Sequence, residues 1–248
     1  MREEAYDTFY QLDFTHWFPC GRRQLLQTMI ERFVSAPNRI ADIGCGTGAN
    51  FQMLQAFGSV VGVDFAEQAV AYCHQRQLNS TAVAGLPHLP FGDGTFDLVC
   101  ALDVIEHIDD DAAAVREMTR VCRPGATLLL TVPAYQWLWS QHDDANQHQR
   151  RYTRAQLRKL FADLPMDILK LSHFNLLLSP PIVALRLLGK IRDKVRPPDA
   201  PKLDLAKTPE PLNRLIQATL AAERFVIPHL SLPFGISILC AARKRGGH

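Results

Sequence analysis

The feature that most constrains this chain is a short apolar run, Ile40 to Ile43, that passes straight into Gly44-Cys-Gly-Thr-Gly48 and then into a helical pattern from Ala49 to Phe57. Strand, glycine turn and helix in immediate succession form the opening of a parallel α/β sheet. Glycines at 44, 46 and 48 let the backbone approach a ligand closely, and the following helix offers free N–H groups to it. A nucleotide-like ligand is the natural occupant. Asp64 closes the next strand, Val60 to Val63, at the place where a carboxylate takes the two hydroxyls of a ribose.

The alternation continues. Glu67 to Leu78 is a helix, Ser80 to Val83 a weak strand, Phe96 to Ala101 a fourth strand, and Asp109 to Cys122 a helix that Pro124-Gly125 turns into the strand Ala126 to Val132. Thr153, with Gln156 three residues on, starts a helix to about Asp163, and strands follow at Met166 to Leu171 and Gly235 to Ala242. The expected fold is a single α/β domain over 1–248. An N-terminal helical arm occupies 1–36, the cofactor-binding core 37–172, a proline-punctuated helical insertion or lid 173–233, and the final strand and tail 234–248.

Two cofactors compete for the glycine loop, because Gly44, Gly46 and Ala49 also satisfy the looser dinucleotide pattern. Asp42, two residues before the first glycine, decides between them. A carboxylate there can face a cationic amino-acid moiety but repels a pyrophosphate, which favours S-adenosylmethionine over a nicotinamide cofactor. The successive segments Ala41-Asp-Ile-Gly-Cys-Gly-Thr-Gly48, Val61-Gly-Val-Asp64, Leu89-Pro-Phe-Gly-Asp-Gly-Thr-Phe-Asp-Leu-Val99, Asp103-Val-Ile-Glu-His107 and Arg123-Pro-Gly125 resemble, in order, the motifs of class I S-adenosylmethionine-dependent methyltransferases.

That resemblance implies a Rossmann-like, doubly wound seven-stranded sheet with the last strand antiparallel. It further implies that Asp42 and the loop Gly44, Cys45, Gly46 and Gly48 hold the methionine part, Asp64 the ribose, and Phe65 the adenine edge, with Leu102 in contact through its backbone. Gly85 stands where many relatives carry an acid for the adenine amino group, and Leu86 follows it. The segment His16 to Arg23 resembles the arm that closes over the cofactor in quinone-biosynthesis O-methyltransferases, so Arg22 or Arg23 is expected at the methionine carboxylate. The product is S-adenosylhomocysteine.

On the acceptor side, the segment after the fifth strand is dense in His, Arg and aromatic residues. His142 or His148 is a candidate base with Asp143 to orient it, and Tyr135, Trp139, Arg150, Arg151 and Tyr152 are candidate acceptor contacts. O-methylation is the expected reaction because it gives the histidines a proton to accept. A plain polar surface loop would account for the same residues. No metal is expected, since the spacing of His142, Asp143 and His148 matches no zinc motif. Glu106-His107 stands beside the cofactor in relatives, for packing or for chemistry.

With 27 Lys+Arg against 25 Asp+Glu and a net charge of +2, nothing directs the chain to nucleic acid. The six cysteines are scattered without a C-x-x-C pair and are expected to be reduced, and the opening Met-Arg-Glu-Glu carries no signal-like apolar run, so a cytoplasmic location is expected. In 181–196, Ala184, Leu188, Ile191 and Val195 share one helical face while Arg186, Lys190 and Lys194 repeat on another. Such a basic amphipathic helix suits peripheral contact with the inner face of a membrane and a lipid-like acceptor, and equally a lid or dimer helix; Leu212 to Leu230 reads as a second apolar-faced helix. A small-molecule or lipid-like acceptor is therefore the expected partner. A cofactor-binding protein without turnover is the alternative from outside the enzyme class.

Overall fold

The computed structural model describes residues 3–195 and 208–246. Arg196, Pro197, Pro198 and Pro201, and the side chains of Lys194 and Val195, which the sequence places in or beside the basic helix, lie outside the described residues.

Strands β1 (Arg39–Ile43) and β4 (Phe96–Leu102) are buried almost throughout, as near-continuous apolar runs must be when helices cover both faces of a parallel sheet. With β2 (Ser59–Asp64), β3 (Thr81–Val83), β5 (Cys122–Pro133), β6 (Met166–Phe174) and β7 (Ser237–Lys244) they form one seven-stranded sheet in the order 3-2-1-4-5-7-6. β1 to β5 run parallel, and β7 is antiparallel to both of its neighbours. The strand order reverses between β1 and β4, so a crevice opens beyond their carboxyl ends, where ligands sit in sheets of this kind.

One face of the sheet packs on α5 (Asp111–Val121) and α7 (Arg154–Lys159) through Ala114, Val115, Met118 and Leu157. The other packs on α2 (Trp17–Phe33), α3 (Phe51–Gln55) and α9 (Glu210–Ala222). Leu25, Leu26, Met29 and Ile30 of α2 are all fully buried, each worth ~1.5–3 kcal/mol of burial before entropy is counted. A Cβ at Gly21 would stand 3.0 Å from Leu220, so a glycine is what lets α2 and α9 approach. α9 of the insertion thus joins the core through Leu220, and the part of the N-terminal segment that acts as an arm is α1 (Glu3–Leu12) with the turn to His16.

Several elements depart from the sequence expectation. α3 starts at Phe51 because Gly48 at φ +80° keeps the chain in a turn, and the Phe51 ring then fills the space that the missing Cβ of Gly62 leaves, 2.7 Å away. β5 begins at Cys122, with Pro124-Gly125 taken up as an irregularity in its pairing with β4 between Phe96 and Leu98. In α8 (Ser179–Val195), Pro180 and Pro181 sit in the first turn, where their lack of an N–H costs nothing. α9 ends at Ala222, short of Leu230, because the next residue, Glu223, turns inward as a cap for another segment.

Candidate active site

The cofactor half of the crevice is built at the ends of β1 and β2. Gly44 (φ +67°) lies against Val104, whose Cγ2 would be 2.5 Å from a Cβ, and the Gly44 and Cys45 amides donate to the Val63 carbonyl at 2.8 and 3.0 Å. The loop is thereby fixed to β2. Gly46 faces open space, with no atom within 4 Å of where its Cβ would be, and its amide donates to Asp64 Oδ2 at 2.9 Å. Asp64 also accepts the Ala66 amide at 3.0 Å and the Tyr6 hydroxyl at 3.4 Å, and burial raises its carboxyl above the ordinary range.

Asp42 is buried with neither carboxylate oxygen paired, and desolvation, against a partial counterpull from Arg22, pushes its pKa up to about 7. An orphaned carboxylate behind a glycine loop that is open on its ligand side is what a cofactor bearing both a cationic amino group and a ribose requires. The residues fit S-adenosylmethionine: Gly44, Cys45, Gly46, Asp64, Phe65, Leu102 and Arg22 all line a single cleft of about 1020 Å³. Asp42, Gly48 and Leu86 do not reach its wall. Gly48 is a packing glycine, since a Cβ there would meet Leu78 at 2.4 Å. A Cβ at Gly85 would stand 3.1 Å from Phe65 Cβ, so a side chain there would press on the Phe65 backbone side by a few tenths of an ångström.

Arg22 reaches the cleft and Arg23 does not. Arg22 donates through Nη1 to Asp103, a non-glycine residue held at φ +60°, and its buried Nε meets no partner. Arg23 donates to the Asp13 carbonyl at 2.6 Å and leaves the site to its neighbour.

The acceptor half contains Glu106, His107, His142, Asn146, His148 and Arg151 on the cleft wall. Asp143, wholly buried, organises them: its Oδ1 accepts His148 Nδ1 and Arg151 Nε, both at 2.8 Å, and its Oδ2 accepts Arg151 Nη2 at 2.8 Å and the Ser140 amide at 2.8 Å. Burial works to raise this carboxyl, yet the hydrogen bonds from His148 and Arg151 outweigh it and hold it well below the ordinary range. Asp143 positions His148, as the sequence pattern anticipates. The same pair of bonds fixes Arg151, so its guanidinium is committed and its remaining Nη1 donates to the Ala134 carbonyl at 3.2 Å.

The other expected acceptor contacts lie elsewhere. Tyr135 (φ +59°) stacks on His173 and Phe234 at ring separations of 5.2 and 5.3 Å, Trp139 donates to Asp144 at 2.9 Å, and Arg150 pairs with Asp111 at 3.1 Å. Tyr152 is a buried anchor whose hydroxyl donates to Asp111 at 2.8 Å. None of the four is on the cleft wall. In their place stand Glu106 and His107, after β4, and apolar residues of α8 (Pro181, Ile182, Leu185 and Leu188), of which the amphipathic pattern had singled out Leu188.

A parallel sheet with an antiparallel last strand and an acid after β2 beside a glycine loop is the architecture of class I methyltransferases. Comparison with known proteins agrees: residues 41–130 match the methyltransferase domain family. The chain is 31% identical over 136 residues to a demethylmenaquinone methyltransferase of Lactiplantibacillus plantarum, covering 46% of this chain and 57% of that one. It is 33% identical over 111 residues to a ubiquinone biosynthesis O-methyltransferase of Pseudomonas aeruginosa, covering 41% and 47%. It therefore spans about half the length of the curated relatives it matches. Among solved structures, the complex of the Haloferax volcanii Trm112 methyltransferase activator with a methyltransferase contains a similar chain, with a TM-score of 0.62 at 17% identity over 99% of this chain and 96% of that one. Residues 41–130 thus match a methyltransferase domain, on a sheet order shared with solved methyltransferases.

Proposed function

We propose that this protein transfers the methyl group of S-adenosylmethionine to a small, lipid-like acceptor, with oxygen as the preferred acceptor atom. The observation that carries the reading is that one cleft joins the Gly46–Asp64 cofactor corner to a wall of α8 side chains, Ile182, Leu185 and Leu188, so a cofactor and an apolar acceptor would share one space. Displacement at a sulfonium methyl demands alignment and exclusion of water more than a catalytic group, and an acceptor seated against the apolar wall would contribute to both. When bound, the cofactor supplies an electrophilic methyl. The chain's own part is to hold the acceptor in line and to take its proton, for which His142 and His148 line the acceptor half. Two of the relatives are named for quinone-type compounds, which is consistent with an apolar aromatic acceptor.

The mouth of the cleft supports delivery from a membrane surface. Leu185 and Leu188 of that wall are each more than 60% exposed, and Leu177 and Ile191 are at least 60% exposed. α8 carries Arg186, Lys190, Arg192 and Lys194 against Asp193 alone. The basic row is not simply solvated: Lys190 donates to the Trp137 carbonyl at 2.7 Å and Arg186 to that of Leu138 at 3.2 Å, so α8 is pinned to the loop that precedes the histidines. Membrane contact therefore rests on the leucines. Among the described residues no helix is long and apolar enough to cross a membrane.

The test is methyl transfer from radiolabelled S-adenosylmethionine to paired phenolic acceptors with and without a long alkyl tail, with vesicle sedimentation alongside. Transfer that prefers the tailed acceptor, and sedimentation with anionic vesicles that Leu185→Ser with Leu188→Ser abolishes, would support the reading. Equal use of both acceptors, or cofactor binding without transfer to either, would sink it.

A further inference from the structure

Glu106 is completely buried, and neither of its carboxylate oxygens meets a hydrogen-bond donor. A buried carboxylate without a partner is costly unless it is protonated or neutralised by a cation. The nearby guanidiniums do not pair with it: Arg22 is bonded to Asp103, and Arg151 to Asp143. What does face Glu106 is a pair of imidazoles. His107 follows it in the same 3-10 turn, His148 comes from the loop after α6 (Gln141–Asn146), and one ligand-competent atom of each of the three residues lies within 4.8 Å of the other two.

His148 is already oriented by a bond on its far side: its Nδ1 lies 2.8 Å from Asp143 Oδ1, which leaves Nε2 for a further ligand. The rings stand edge to face at 4.7 Å. A carboxylate or carbonyl that fixes one imidazole nitrogen while the other is presented is the outer-sphere arrangement of metal-binding histidines.

We propose that Glu106, His107 and His148 form a divalent transition-metal site that opens into the acceptor half of the cleft. Two imidazole nitrogens and one carboxylate suit zinc, manganese or cobalt better than magnesium or calcium, and three protein ligands leave a position for a further oxygen. This reverses the expectation of no metal, which rested on local spacing, whereas these ligands come from two separate segments. The site stands on geometry alone. Its use rests on the proposed O-methylation: an acceptor hydroxyl bound there loses its proton to His142 or solvent, its oxygen forms the new bond to the methyl carbon, and the sulfur–methyl bond breaks with its electron pair going to sulfur.

The test uses the full chain, stripped with a chelator and free of cofactor, titrated calorimetrically with zinc, manganese and cobalt chlorides, with cobalt absorption as a second readout. The expected result is saturable binding of one equivalent of at least one ion, roughly 100-fold weaker or lost in Glu106→Gln and in His148→Gln, and about 10- to 100-fold weaker in Asp143→Asn. Binding of S-adenosylhomocysteine by the same preparations verifies that each variant is folded and separately tests the cofactor assignment. No saturable binding of any of the three ions, or binding that both ligand variants leave unchanged, would overturn the site.

Discussion

The Tyr6 hydroxyl donates to Asp64 Oδ1 across 3.4 Å, which ties α1 to the strand end that carries the acid assigned to the ribose. A bond this long is weak, whereas Asp64 stands to make two charge-assisted bonds to a diol. Tyr6→Phe is expected to change S-adenosylhomocysteine affinity by less than about threefold. Asp64→Ala should lower it by about 100-fold, both read by calorimetry.

Asp42 links stability to pH. Burial raises its folded pKa to about 7, above that of the unfolded chain, so the folded protein holds a proton that the unfolded chain releases between about pH 4 and 7. Its contribution to stability is therefore fully present below that window and falls as pH rises through it. Asp42→Asn should be more stable than the parent at pH 8, by on the order of 4 kcal/mol at most, and should lose that advantage near pH 4. Urea denaturation at the two pH values decides.

Removing Arg151 would strand a wholly buried Asp143 with only His148 and the Ser140 amide for partners. Arg151→Met is expected to destabilise the protein by about 3–5 kcal/mol at pH 7. The sign is opposite to that of Asp42. Asp143 is held below the unfolded value, so its contribution is complete above the ordinary carboxylate range and is lost as pH falls through it. The deficit of Arg151→Met should accordingly shrink toward pH 3, measured by urea midpoint.

Glu223 is nine-tenths buried or more and accepts the amides of Asn175 and Leu176 at 2.6 Å and Leu177 at 3.3 Å, so it anchors the turn from β6 into α8. Glu223→Ala leaves these amides without that acceptor and should cost roughly 3 kcal/mol. Glu223→Gln retains a carbonyl oxygen and should cost less. If hydrogen exchange in residues 175–195 is no faster in Glu223→Ala, the carboxylate does not anchor the lid.

Much of this protein is written locally. The glycine loop, Asp42 and Asp64 lie within one strand-loop-helix-strand unit, and the Thr153–Gln156 capping box, with Thr153 N to Gln156 Oε1 at 2.8 Å, spans four residues, so neighbouring chemistry alone determines them. The ordered motifs also place the seven strands. Which polar side chains meet was decided only by the tertiary structure. Tyr152 and Arg150 carry the same chemical promise as Arg151 and His148, yet packing turns the first two onto Asp111 and the last two onto Asp143. Glu106 is 42 positions from His148, and nothing local in either segment records their approach. The physical reason is that backbone propensity acts over a few residues, whereas the direction of a buried polar group is set by whichever partner the assembled sheet brings within hydrogen-bond reach.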